Sequence, residues 1–322
     1  MAEFILGHGL RHAARRHRWL RRALWRLDQA LLWLLIHLFR ALPADAASRL
    51  GARLGAAVGP LLRHKTALFR DNLRIALPEL TEPQRAALIR EAWARGGRIL
   101  AEYPQIPRMH RDPSRIDIVD AGFDPARDGQ CIFVMGHLGS WEAPPLLMMA
   151  RLGLPFAALY APPGNPYLER MLVDSRAALG CRLVSRDQGV RAMTRVLREG
   201  RTLGVVVDRR VDGGAPLRFF GHDKPSTLLP ARLALRSGLP LVPLRAQRIR
   251  DARFRVTLHT PVQPQDSSTD PEAQARNMMQ QVHALLETWI REDPADWFCS
   301  KRLWPRDTLG AGQRGAPSTQ SA

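Results

Sequence analysis

Between residues 116 and 258, short apolar runs alternate with longer stretches whose apolar residues recur at helical spacing. The runs fall at 116–119, 131–135, 156–160, 202–207, 241–244 and 254–258. The stretches at 144–152, 166–179, 187–199, 228–237 and 271–291 read as helices. A wholly apolar strand must be covered on both faces, and a helix between successive strands provides a crossover that keeps them parallel. The alternation therefore predicts an α/β layered domain with a largely parallel sheet flanked by helices. In the last helix Met278, Val282, Leu285 and Trp289 share one stripe, which assigns the neighbouring methionines to the core.

Upstream, residues 45–103 read as helical. Thr81 followed by Gln84 makes a capping box, with Pro83 in the first turn. Pro104 and Pro107 close the section. The first 44 residues have a different character. The chain carries a formal charge of +18, and residues 1–26 hold seven arginines against one acid, Glu3. Residues 30–39 are an apolar run between Asp28 and Arg40, too short for a span, which needs about 20 apolar residues. Trp19, Trp25 and Trp33 can sit at headgroup depth. The expectation is a basic and apolar membrane-anchoring segment over 1–44 that dips into the cytoplasmic leaflet. A helix buried against the rest of the protein is the alternative. The main domain then covers 45–309, and 310–322 reads as a disordered tail.

Charge of this size implies an anionic partner, either nucleic acid or a lipid surface. With 7% aromatic residues and no RRM, KH or zinc-finger pattern, the chain lacks a nucleic-acid platform. Cys131, Cys181 and Cys299 are odd in number, far apart and without C-x-x-C spacing, which argues against a disulfide framework or a structural zinc site. A reducing compartment follows.

The segment from Cys131 to Glu142, Cys-Ile-Phe-Val-Met-Gly-His-Leu-Gly-Ser-Trp-Glu, carries the chemistry. An apolar strand ends at Gly136, and His137 and Glu142 follow five positions apart. On a continuous helix five positions turn through about 140°, so the pair converges only if the chain bends at Gly136 and Gly139. Pro144 and Pro145 start the next helix and leave Glu142 near its N-terminus, where negative charge is favoured. An imidazole held by a carboxylate at the carboxyl end of a strand has the makings of a general base, in the place where open α/β sheets bind ligands. It would deprotonate a hydroxyl for attack on an activated acyl group. Ser140 lacks the G-x-S-x-G setting of a nucleophile, and one histidine with one carboxylate makes no metal site, so no metal or cofactor is expected. Asp208, Arg209 and Arg210 follow another apolar strand, where arginines can grip phosphate or pair with Asp208.

Gly-His137-Leu-Gly-Ser-Trp-Glu142 resembles the H-x-x-x-x-E signature of the bacterial lipid A biosynthesis (lauroyl/myristoyl) acyltransferases, within the lysophospholipid and glycerophosphate acyltransferase superfamily. Further matches run in order: Asn72-Leu-Arg-Ile-Ala-Leu-Pro78-Glu, then Glu102, then Tyr160-Ala-Pro-Pro-Gly-Asn165-Pro. They continue with Gly204 to Arg210 followed by Gly213-Gly214 and Phe219-Phe220-Gly221, and end with Asp296-Trp297-Phe298, Lys301-Arg302 and Trp304-Pro305. The resemblance covers roughly residues 60–306. It implies a glycerophosphate-acyltransferase-like fold and transfer of a fatty acyl chain from acyl-carrier protein to a hydroxyl of a lipid A precursor, at the cytoplasmic face of the inner membrane. His137 would be the general base and Glu142 its orienting partner. Gly139, Ser140, Tyr160, Asn165, Asp208, Arg209 and Arg210 would bind substrate, with the Gly139–Ser140 turn offering N–H groups to an oxyanion. Two positions depart from the family pattern: Ala161 replaces an arginine, and Ser140 an asparagine. They leave open an acceptor such as a lysophospholipid or an amino-acid lipid, and acyl-CoA as donor.

Overall fold

Helices precede the sheet, and proline, glycine or a cap marks the breaks after α2, α3 and α4. The computed structural model describes residues 11–308 apart from 178 and 266–269, so the tail expected at 310–322 lies outside the described residues. Helix α1 (Arg11–Arg16) leads into α2 (Arg18–Ala41), and Pro43 separates α2 from α3 (Ala44–Val58). Gly59 and Pro60 separate α3 from α4 (Arg63–Ala76). Helix α5 (Glu82–Glu102) begins at the expected capping box: Thr81 Oγ accepts from the Gln84 N–H, and Gln84 Oε1 accepts from the Thr81 N–H at 2.8 Å. Such a cap stabilises a helix by about 1 kcal/mol. Helices α3 and α5 cross with their backbones almost touching. A Cβ on Gly97 would lie 2.1 Å from the Gly51 carbonyl oxygen, and one on Gly51 2.4 Å from that of Gly97.

After α6 (Ile106–His110) come β1 (Ile116–Ala121), α7 (Pro125–Asp128), β2 (Ile132–Met135), α8 (Ala143–Leu152) and β3 (Phe156–Tyr160). Then follow α9 (Pro166–Ala177), β4 (Cys181–Ser185), α10 (Gly189–Arg198), β5 (Thr202–Val206), β6 (Ala215–Phe219) and β7 (His222–Ser226). Helix α11 (Leu229–Ser237), β8 (Leu241–Arg250), β9 (Arg253–His259) and α12 (Pro271–Glu292) complete the series. Seven strands form one sheet in the order β1-β9-β8-β2-β5-β3-β4, and every pair is parallel except β8 with β9. The α/β layered sheet is thus as expected, with one antiparallel join. Apolar clusters fill both faces. One holds residues of α4, α5, α10, α11 and α12 with the carboxy-terminal tryptophans; the other is built on α8 and α6.

Three features depart from the sequence reading. Strand β4 was not foreseen, because Cys-Arg-Leu-Val-Ser at a sheet edge has neither an apolar run nor clean alternation. Strand β8 extends six residues past Leu244, and its half-polar second part pairs with β9. The β6–β7 hairpin also escaped, since His-Asp-Lys-Pro-Ser has no strand signature. Its turn is set by Phe220 and Gly221, with φ of 51° and 74°, the left-handed pair that a two-residue hairpin turn requires.

Among the described residues no helix is long and apolar enough to cross a membrane. Helix α2 is mixed in character. Leu24, Asp28 and Phe39 are buried, whereas Trp19, Leu27, Trp33, Leu34 and Leu38 are exposed, Trp19 to 70%. The helix is tied down by Gln105, whose Nε2 donates to the carbonyls of Phe39 and Leu42.

The α3–α5 crossing leaves no space for a methyl group. Gly97→Ala should lower stability by about 1–3 kcal/mol, the usual cost of overpacking, read as a shift of the urea midpoint. An unchanged midpoint would mean that the helices do not meet backbone to backbone.

Candidate active site

Strands β2 and β5 are neighbours in register: Ile132 pairs with Leu203 and Met135 with Val206, and the Val207 N–H donates to the Met135 carbonyl at 2.9 Å. Two residues beyond that last pair, His137 and Asp208 emerge side by side at the carboxyl ends of the strands. His137 Nδ1 lies 2.6 Å from Asp208 Oδ1. The carboxylate is almost wholly buried, at 2% exposure. Its other oxygen accepts from Trp297 Nε1 at 3.2 Å, and Lys224 Nζ donates to the Asp208 carbonyl at 3.1 Å. Burial works to raise the Asp208 pKa. The His137 ring outweighs it by charge and hydrogen bond, helped by Lys224 and Arg209, and holds the group well below the usual carboxylate range. Lys224 is itself buried, which pulls its pKa down to about 8 against the attraction of Asp208.

An ionised carboxylate on Nδ1 fixes the proton there and leaves Nε2 with its lone pair. His137 lines a cavity of about 820 Å³ that also includes Trp141, Tyr160, Arg209 and Arg210. The imidazole is therefore held in one orientation at the edge of a mostly apolar chamber, an arrangement that can accept a proton.

The turn carrying His137 is shaped by its neighbours. Gly139 has φ of 55°, and a Cβ there would meet the Ala246 carbonyl oxygen of β8 at 2.2 Å. The Gly139 N–H donates to the Asp296 carbonyl at 3.0 Å, and the Phe298 N–H to the His137 carbonyl at 2.9 Å. The carboxy-terminal segment thus clamps the turn and supports Asp208 through Trp297. Trp297 and Trp304 are both buried, so these side chains pack into the core.

Several expected roles are corrected by this geometry. Glu142 does not hold His137; its carboxylate pairs with Arg176 of α9. The chain turns at Gly139 and places Glu142 at the N-cap of α8, directed across to α9, while the strand register delivers Asp208 to the imidazole instead. Asp208 accordingly holds the imidazole and is not part of the cavity lining. The Gly139 N–H is occupied by Asp296, so it is not free for an oxyanion. Ser140 is buried, with its hydroxyl 3.4 Å from Glu102 Oε2. Asn165 does not line the cavity. Its Oδ1 accepts from the Tyr167 N–H at 3.0 Å at the start of α9, and its Nδ2 donates to the Trp25 carbonyl at 3.1 Å, tying α2 to the body.

Tyr160 does face the cavity, donating its hydroxyl to Glu169 at 2.8 Å; burial and that carboxylate push its pKa to about 12. Arg209 is exposed at the cavity, and Arg210 pairs with Asp212 at 2.6 Å. The sequence reading missed Arg176, Arg186 and Lys224. Arg186 also lines the cavity, on the stretch before α10. No local pattern marks these residues, since each reaches the site from an element whose placement depends on the whole sheet.

Glu102, singled out only as one of the ordered matches, is a structural hub. It is fully buried, pairs with both terminal nitrogens of Arg248, and accepts from Ser48 Oγ at 2.6 Å. It thereby joins α3, α5, β8 and the turn that carries His137.

The sequence model of the family described as bacterial lipid A biosynthesis acyltransferase matches residues 13–306. The lipid A biosynthesis acyltransferase of Haemophilus influenzae is 21% identical over 274 residues, 81% of this chain and 83% of that protein. The lipid A biosynthesis myristoyltransferase of Escherichia coli is 26% identical over 160 residues, 46% of this chain and 47% of that protein. Among solved structures, the 1-acyl-sn-glycerophosphate (LPA) acyltransferase PlsC of Thermotoga maritima covers 72% of this chain and 97% of its own. Its TM-score is 0.32 at 15% identity.

Removing one partner of a buried ion pair strands the other. Arg248→Met should destabilise the protein by about 3–5 kcal/mol in thermal or urea unfolding. A loss no larger than that of an exposed arginine substitution would show that Glu102 does not depend on Arg248.

Proposed function

The chain belongs to the bacterial lipid A biosynthesis acyltransferase family and is an acyltransferase; on that premise we propose that it moves a fatty acyl chain from acyl-carrier protein to a hydroxyl of a lipid A precursor at the cytoplasmic face of the inner membrane. The observation that carries the mechanism is the buried Asp208–His137 hydrogen bond beside the cavity. His137 Nε2 takes the proton of the acceptor hydroxyl as its oxygen attacks the thioester carbonyl. The tetrahedral intermediate collapses with cleavage of the carbon–sulfur bond. The imidazolium returns the proton to the departing thiolate, and Asp208 stabilises the cation meanwhile. Arg209 and Arg210 at the cavity suit a phosphorylated acceptor. An acidic carrier protein would be steered by the excess of positive charge.

The exposed aromatic and aliphatic side chains of α2 lie among the exposed Arg18, Arg22, Arg26 and Arg40. A helix of this kind lies in a membrane interface, with arginines beside anionic headgroups contributing roughly 1 kcal/mol each. This supports an anchor on the membrane surface.

Given acyl-carrier-protein thioester and an under-acylated lipid A, the protein should release free carrier thiol. His137→Ala and Asp208→Asn should each lower turnover by about 10³–10⁴-fold with the fold intact, because Asp208→Asn no longer fixes the tautomer. Glu142→Gln should cost far less. Full turnover in Asp208→Asn together with a dead Glu142→Gln would reverse the assignment. Deletion of residues 1–42 should release the protein from anionic liposomes, and undiminished sedimentation would place the anchor elsewhere.

A further inference from the structure

Strand β5 lies inside the sheet, between β2 and β3, yet alternate residues on one of its faces are only half-buried. The cause is a gap in the helix layer. On that face α8 packs over β1 and β9 at one side, and α9 packs over β4 at the other. Across the space between them runs the Glu142–Arg176 ion pair. The strand registers arrange the floor of this gap in rows. Nearest His137 are Met135, Val206 and Tyr160; next are Phe133, Gly204 and Ala158; last are Thr202 and Phe156. All eight line the cavity that contains His137. Thr202 and Phe156 are buried, at 4% and 5% exposure, and close the far end.

Gly204 has no structural reason to be glycine. Its φ is outside the left-handed region, and a Cβ there would meet nothing nearer than the Ala157 carbonyl oxygen at 3.8 Å. A glycine inside a strand weakens it, and it marks a place where something else approaches the backbone. Here that place is the floor of an apolar groove leading down from the base.

We propose that the groove over β5 receives the acyl chain being transferred and that Gly204, with Ala158 beside it, sets how long a chain is accepted. This rests on the acyl-transfer reading above. Gly204 is level with Phe133, four residues before His137, so at about 3.3 Å per residue it lies about 13 Å below His137 along the strands. An extended chain advances about 1.2 Å per bond, so the two small residues face roughly the eleventh carbon. A side chain grown from Gly204 into the groove would block carbons beyond that point and leave shorter chains room.

The test assays the full-length protein with carrier-protein thioesters of graded chain length, from about eight to about sixteen carbons, and one under-acylated lipid A. In Gly204→Leu the ratio of kcat/KM for the shorter donors to that for the longer donors should rise about tenfold or more, and Ala158→Leu should move it in the same direction. If Gly204→Leu is inactive on every donor, Gly204→Ala replaces it and must raise the same ratio about two- to fourfold. A uniform loss across all lengths, or an unchanged profile, overturns the assignment of the groove. Absence of transfer by the unaltered protein from every thioester would instead overturn the acyl-transfer reading itself.

Discussion

An ionised carboxylate with almost no access to water lies under the histidine, and much of the molecule is arranged so that it can remain there. A buried charge is costly unless its partners surround it. Asp208 obtains them from three separate parts of the chain: the imidazole of His137 from the end of β2, the indole of Trp297 from the carboxy-terminal segment, and the ammonium of Lys224 from the β6–β7 hairpin. The hairpin turn, with Phe220 and Gly221 in the left-handed region, brings Phe220 to stack on Trp297. The same carboxy-terminal segment binds the backbone of the His137 turn. Loss of any one of these elements would loosen the imidazole and its support together.

Two further ion pairs divide the remaining work. Glu102–Arg248 fastens the helical section to β8 beneath the turn, and Glu142–Arg176 ties α8 to α9 across the uncovered part of the sheet. Between them they account for Glu102 and Glu142, and both act by holding elements in place. The cavity thereby keeps an apolar floor, with arginines 186, 209 and 210 elsewhere on its lining. That division suits a substrate with a hydrocarbon part and a charged part.

Much of the architecture was legible because it rests on local physics. The strands at 156–160 and 202–206, the helix beginning at Pro271 and the capping box at Thr81 follow from apolar period and end chemistry alone. The elements that escaped are held by tertiary contacts. Strand β4 is an edge strand completed by β3, and the β6–β7 pair packs against α12. His137 was legible as a candidate because it follows a strand and a glycine. Its partner was not, since five residues of local chain pointed to Glu142.

The sequence by itself determined that strands and helices alternate, that His137 and Asp208 each sit at a strand's carboxyl end, and that a basic, aromatic segment leads the chain. Period, glycine placement and charge suffice for those conclusions. Only the tertiary structure decided which strands lie side by side. Because β5 pairs with β2 although β3 and β4 come between them in the chain, Asp208 reaches His137 from 71 residues away, and Glu142, five residues away, turns to Arg176 instead. Strand order is settled by how all the helices cover the sheet at once, and no local stretch of sequence contains that information.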